Sequence, residues 1–158
     1  MFPLKLWRAG VLAATVGLAA CASDVATSTN VRQIVSTTSF GMCAGYCTTR
    51  LEISEGQAVL IREGRGGRGA AALPEQRVAA ALPASEWQEI ASLAANTSLE
   101  GLPPVIGCPD CADGGAESLT IAGAGGSRSV SFDYGATVEQ AQPLLDRVRA
   151  LRTRMTPE

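Results

Sequence analysis

In the first half of the chain, apolar and β-branched runs broken by turn residues mark strands, and over 49–54 apolar residues recur at every second position, the spacing of a strand with one buried face. Residues 31–40, rich in Val, Ile and Thr, predict a first strand. A tight loop over 41–47 follows. Over 49–54, Leu51 and Ile53 alternate with Arg50 and Glu52; Glu55 and Gly56 make a turn, and 57–62 return as the partner strand. Residues 63–69 read as a glycine-arginine loop and 76–82 as a weaker edge strand. The period then changes. Trp87, Ile90, Ala91 and Ala94 stand at i, i+3, i+4 and i+7, one face of a helix. Ser85-Glu86-Trp87-Gln88 has the form of a capping box, in which the serine hydroxyl accepts an orphan amide while Gln88 reaches back. Asn96 and Gly101 end this helix.

Residues 102–115 are a Pro-, Gly- and Cys-rich loop. Runs 117–122 and 128–134 form a second hairpin around 123–126, with Leu119, Ile121, Val130, Phe132 and Tyr134 on one side. The last helix carries Ala141, Leu144, Leu145, Val148 and Leu151 as its stripe. Pro143 belongs in its first turn, where a missing amide hydrogen is harmless. Paired runs joined by turns pair antiparallel, whereas parallel neighbours need long crossovers. The expected fold is therefore α+β: one domain over residues 31–155, an antiparallel sheet of five to six strands built on two hairpins, with both helices packed on one face.

Ahead of this domain the pattern is different. Lys5 and Arg8 precede an apolar run of twelve residues, 9–20, which ends Leu18-Ala19-Ala20-Cys21. That run is shorter than the ~20 apolar residues a membrane-spanning helix needs. The segment resembles the signal of bacterial lipoproteins, a cleaved leader ending in a lipobox. The resemblance covers residues 1–21. It implies a signal peptide over 1–20, a diacylglyceryl group on Cys21 and an acylated new amino terminus. Several acyl chains make membrane attachment practically permanent. Ala22 in place of Asp after the cysteine implies, by the same resemblance to Gram-negative lipoproteins, export to the periplasmic side of the outer membrane. Residues 21–30 then form a lipidated tether of small and polar residues.

Charge and composition narrow the chemistry. Lys5 and Arg8 leave with the signal, so 13 basic residues become 11 against 15 acidic ones, a net charge of −4. An acidic domain argues against nucleic acid as a partner. Arg62-Glu63-Gly64-Arg65-Gly66-Gly67-Arg68-Gly69 has an RGG-like composition, but in this setting reads as a loop between strands. The chain has no His, and the part beyond the signal has no Lys. This excludes Ser-His-Asp and Cys-His catalysis, Lys Schiff bases and His-ligated catalytic zinc. The remaining carboxylates are scattered singly, the pattern of a solvated face. Asp110, Asp113 and Glu117 lack EF-hand spacing, so no calcium site is expected, and no cofactor or metal is assigned.

Four cysteines remain besides Cys21: Cys43 and Cys47 at C-x-x-x-C, and Cys108 and Cys111 at C-x-x-C. Export favours a disulfide framework, with Cys43–Cys47 and Cys108–Cys111 as the expected pairs because each pair lies within one loop. Two rival readings are a Cys₄ zinc site and a redox dithiol at Cys108-Pro109-Asp110-Cys111, which resembles thioredoxin-like motifs. The redox motif lacks the following helix, and Asp110 and Asp113 raise a neighbouring thiol's pKa. In element order and size the domain resembles the emfourins, small bacterial inhibitors of thermolysin-type metalloproteases. That resemblance implies a binding role and carries no inhibitory residue over to this sequence. The expected function is a membrane-anchored envelope lipoprotein bearing a disulfide-stapled, non-enzymatic interaction or structural module. Its partners are the membrane, through Cys21, and an envelope protein. The alternatives are a protease-inhibitor-like binding protein and a thiol-disulfide redox protein using Cys108 and Cys111.

Overall fold

The computed structural model describes residues 30–158; the signal, Cys21 and the tether through residue 29 lie outside the described residues. In chain order the elements are β1 (Val31–Ser39), β2 (Gly45–Ser54), β3 (Gln57–Arg65), β4 (Gln76–Ala81), α1 (Ala84–Ala95), β5 (Val105–Ile106), β6 (Ala116–Gly123), β7 (Gly126–Asp133) and α2 (Gln142–Met155). The strands form one sheet in the order β4-β3-β2-β1-β6-β7-β5. The α+β class holds, with seven strands where five to six were expected.

The sheet is also mixed. β5 lies parallel to β7, with Val105 opposite Ser131 and Ile106 opposite Phe132, and the Ser131 amide donates to Pro104 O at 2.9 Å. No crossover helix is needed, because β6 itself carries the chain back between the two parallel strands. All other neighbours pair antiparallel.

Register decides which residues meet. Ile34 stands opposite Ile53 on one side and Ile121 on the other; Leu51 faces Leu60, and Leu119 faces Val130. These inward residues join Trp87, Ile90 and Ala94 of α1 and Leu144, Leu145, Val148 and Leu151 of α2 in one core cluster. Both helices therefore cover the same face, as the two stripes predict. On the other face Thr120 Oγ1 donates to Ser129 Oγ at 2.9 Å. Val59 and Ile61 are buried there as well, each across from one member of the Arg50–Glu52 ion pair, whose nitrogen and oxygen are 2.7 Å apart.

Three local expectations are corrected. α1 starts at Ala84 with Pro83 at the cap; the Trp87 amide donates to Pro83 O at 3.0 Å, and no side chain caps the helix. Ser85 already has helical backbone, so its hydroxyl cannot make the bond the capping box requires. β2 begins at Gly45 and carries a bulge between Tyr46 and Thr48, so Cys47 belongs to a strand and not to the preceding loop. Tyr134 lies beyond β7, outside the core face, and packs edge-on against Phe40 with ring centroids 4.9 Å apart.

The two ends of the sheet differ. At the Val31 end are the turns after β2 and β6; the Ala124 amide donates to Asn30 O, and the Leu82 amide to Gly56 O. The Ser39 end carries the β1–β2 loop, the β3–β4 loop, the segment before β6 and the segment after β7.

Candidate functional site

The cysteines set the geometry of the Ser39 end. Cys43–Cys47 is disulfide-bonded with its Cα atoms 5.6 Å apart, and Cys108–Cys111 with 5.4 Å. The four cysteines thus form two separate cystines, not the converging set a Cys₄ zinc site requires. Cys47 is buried, 2% exposed, and the Phe40 amide donates to its carbonyl at 3.0 Å. Cys108 and Cys111 are both exposed.

Cys108-Pro109-Asp110-Cys111 is a β-turn closed by Cys111 N–H to Cys108 O at 2.9 Å. Proline suits its second position, and Asp110 occupies the third with φ 62° and ψ 11°, the left-handed conformation of a type II turn. Ala112 and Asp113 follow at φ 52° and 60°, also left-handed. Asp110 Oδ1 accepts from the Gly41 amide at 3.1 Å and from the Gly115 amide at 3.2 Å. Arg65 Nη1 donates to Gly41 O at 3.0 Å. The Gly41 residue is thereby held on both sides, its amide by one cystine loop and its carbonyl by the end of β3. Gly115 has φ 83°, and a Cβ there would run into the Phe40 ring.

The β3–β4 loop joins this end: Tyr46 O–H donates to Pro74 O at 3.1 Å, and Arg62 stacks 4.5 Å over the Tyr46 ring. Met42, Tyr134 and Leu73 are 79%, 49% and 40% exposed, and all three lie on these loops. Monomeric surfaces scatter large apolar residues singly, so three on adjoining loops set this end apart.

Beneath the loops lies an ionic cluster that overturns the picture of scattered, solvated carboxylates. Glu117 on β6 is fully buried. Its Oε2 accepts from Arg149 Nη2 at 2.7 Å and its Oε1 from Arg152 Nη2 at 2.8 Å. Arg152 Nη1 also donates to Ser36 Oγ at 2.8 Å, and Arg149 Nη2 to Ala136 O at 2.9 Å. Burial alone raises the Glu117 pKa; the two guanidinium groups overcome this and hold the carboxyl below its usual range. A carboxylate kept ionised and saturated with donors is poorly suited to general acid catalysis near neutral pH.

Residue type alone does not show this cluster, but the sequence carries a signal for it. Glu117 shares the inward phase of Leu119 and Ile121 on its strand, and Arg152 stands four residues after Val148 on the buried stripe of α2. The calcium trio does not converge: Glu117 is committed to the arginines and Asp110 to two amides. Among the described residues no group of three or more His, Cys, Asp or Glu is placed to hold a metal ion. Arg62 lies in β3 and Arg65 closes it, so the glycine-arginine loop starts at Gly66.

At the opposite end an open hollow of about 300 Å³ is lined by Leu99, Ile121, Asn96 and the exposed Glu100–Arg128 pair. No described helix is long and apolar enough to cross a membrane. No protein-family model matches the chain, and a search of curated proteins finds no match.

Proposed function

We propose that this chain is a lipid-anchored envelope protein whose domain is a non-enzymatic interaction module, with its binding surface on the loops at the Ser39 end of the sheet. The observation that carries the reading is polarity. β1 enters the domain at Val31, next to the tether, and runs to Ser39, at the end of the sheet that carries both cystine loops. Nine strand residues at ~3.3 Å each place those loops roughly 26 Å or more from the tether. An anchor at Cys21 would join the domain at the Val31 end, so the loop end is the one farther from the point of attachment. Disulfides and the Gly41 clamp stiffen that end, which lowers the ordering cost of binding. Met42, Leu73 and Tyr134 supply apolar contact area on it.

Two measurements test the proposal. Mass spectrometry of the native protein should find Cys21 as an acylated amino terminus; an unmodified chain starting before Cys21 defeats the anchor. A photo-crosslinking residue at Met42 or Leu73 should trap a specific envelope protein, while one at Gly125, at the tether end, should not. Trapping at Gly125 alone overturns the assignment of the binding end. Inhibition of a thermolysin-type protease, lost on Met42→Ala or Tyr134→Ala, would specify the module as an inhibitor.

A further inference from the structure

The two cystines are not equivalent. Cys47 is buried within β2 at 2% exposure, with its carbonyl bonded to Phe40 across the loop. Cys108 and Cys111 are both exposed, and nothing but a single β-turn lies between them. The three residues Asp110, Ala112 and Asp113 hold left-handed backbone without being glycine, a conformation that persists only where its surroundings impose it. The disulfide is one of those surroundings. The others are few: the β-turn bond, the Gly114 amide to Cys111 O at 3.2 Å across Ala112 and Asp113, the Asp110 amide to Gly115 O at 3.0 Å, and the Asp110 carboxylate on Gly41 and Gly115.

Asp110 is also a direct link between the two cystine loops, since its carboxylate accepts the Gly41 amide at 3.1 Å. Whatever frees Asp110 from its turn therefore frees one side of Gly41, the residue before the exposed Met42. We propose that the Cys108–Cys111 disulfide is a redox switch on the loop end of the sheet, opened selectively by a dithiol and uncoupling the two cystine loops when it opens. In the step, a thiolate of the dithiol attacks one exposed sulfur, and the partner cysteine leaves as a thiolate and takes up a proton. The second thiol of the reductant then attacks the mixed disulfide. The protein gains two electrons and two protons as a dithiol, and the reductant ends as a disulfide. Cys43–Cys47 opens more slowly on two counts: Cys47 is buried and shielded from attack, and attack at the half-buried Cys43 expels the Cys47 thiolate into a buried site that solvates its charge poorly.

The link to partner binding rests on the function proposed above; the switch itself does not, and the experiment keeps them apart. The oxidised full chain is titrated with dithiothreitol, quenched, alkylated and mapped by peptide mass. Cys108 and Cys111 should be labelled roughly tenfold faster than Cys43 and Cys47, given the difference in access. Hydrogen exchange at the Gly41 amide should accelerate in the selectively reduced protein. It should accelerate to a similar degree in oxidised Asp110→Ala, which keeps the disulfide and loses the carboxylate. Cys108→Ser with Cys111→Ser should reproduce the reduced state, and if that variant fails to fold, the reduced wild-type chain still gives the answer. Equal reduction rates of the two cystines overturn the proposal, as does an unchanged Gly41 exchange rate after Cys108–Cys111 opens. If the switch behaves as described but reduction leaves crosslinking at Met42 unaffected, the binding surface is misassigned and the switch stands.

Discussion

At Glu117 one buried carboxylate is shared by two arginines of the same helix, and this arrangement makes its removal costly. Taking away one partner of a buried ion pair strands the other charge, at ~3–5 kcal/mol. Glu117→Ala should lose stability on that scale in urea unfolding, leaving the Arg152 guanidinium with Ser36 as its remaining partner. The pH dependence has a defined sign. The folded pKa lies below the unfolded value of ~4.3, so the contribution is complete above that pH and is lost as pH falls through the lowered folded value. The stability gap between wild type and Glu117→Ala should therefore narrow on acidification; a gap that is flat from pH 7 to pH 2 contradicts this account. Gly115 makes a second prediction at this scale. With φ 83° and the Phe40 ring against it, Gly115→Ala should cost ~1–3 kcal/mol, read as a lower urea midpoint.

Between elements, the contact of α1 with α2 is fastened by Glu86, which accepts from Arg147 Nη2 and Arg154 Nη2, each at 2.8 Å. The sequence suggests a capping role for this region; the structure turns Glu86 toward the other helix instead. Partly exposed pairs contribute little, so Glu86→Ala should cost ~1 kcal/mol or less in thermal unfolding. Leu145→Ala, at a fully buried position of the α2 stripe, should cost ~2–5 kcal/mol, and the contrast tests whether apolar packing or ion pairing does more to hold α2 in place. The strands and helices were legible where the period was long. Two-residue alternation over β2 and β6 and the i, i+3, i+4 stripes of α1 and α2 carry enough repeats to be read. β5 was not legible, since two residues have no period and their pairing depends on the free edge of β7.

For the whole molecule, the sheet order places both cystines at one end and the chain's entry at the other. Alkylation of the oxidised protein should label no cysteine in residues 31–155, and complete reduction should expose four thiols. Losing both bridges should leave the fold intact, because the core lies between the sheet and the helices and not among the loops. Small rings restrict the unfolded chain little, so each bridge adds at the low end of ~2–4 kcal/mol. A cooperative unfolding transition that vanishes on full reduction would show instead that the cystines hold the fold.

By itself the sequence determined the features that local spacing encodes: an α+β class, two amphipathic helices on one face of a sheet, and cysteine pairs close enough in the chain to bond to one another. Local spacing works here because backbone geometry fixes side-chain direction every two or every 3.6 residues. Contacts between residues far apart in the chain were decided by tertiary structure alone. Asp110 meets Gly41 across 69 positions, and Arg152 meets Ser36 across 116. Neither pair leaves a periodic trace. The phase of Glu117 with Leu119 marks it as facing inward, but which groups meet it there is settled only by the packing of α2 over β6.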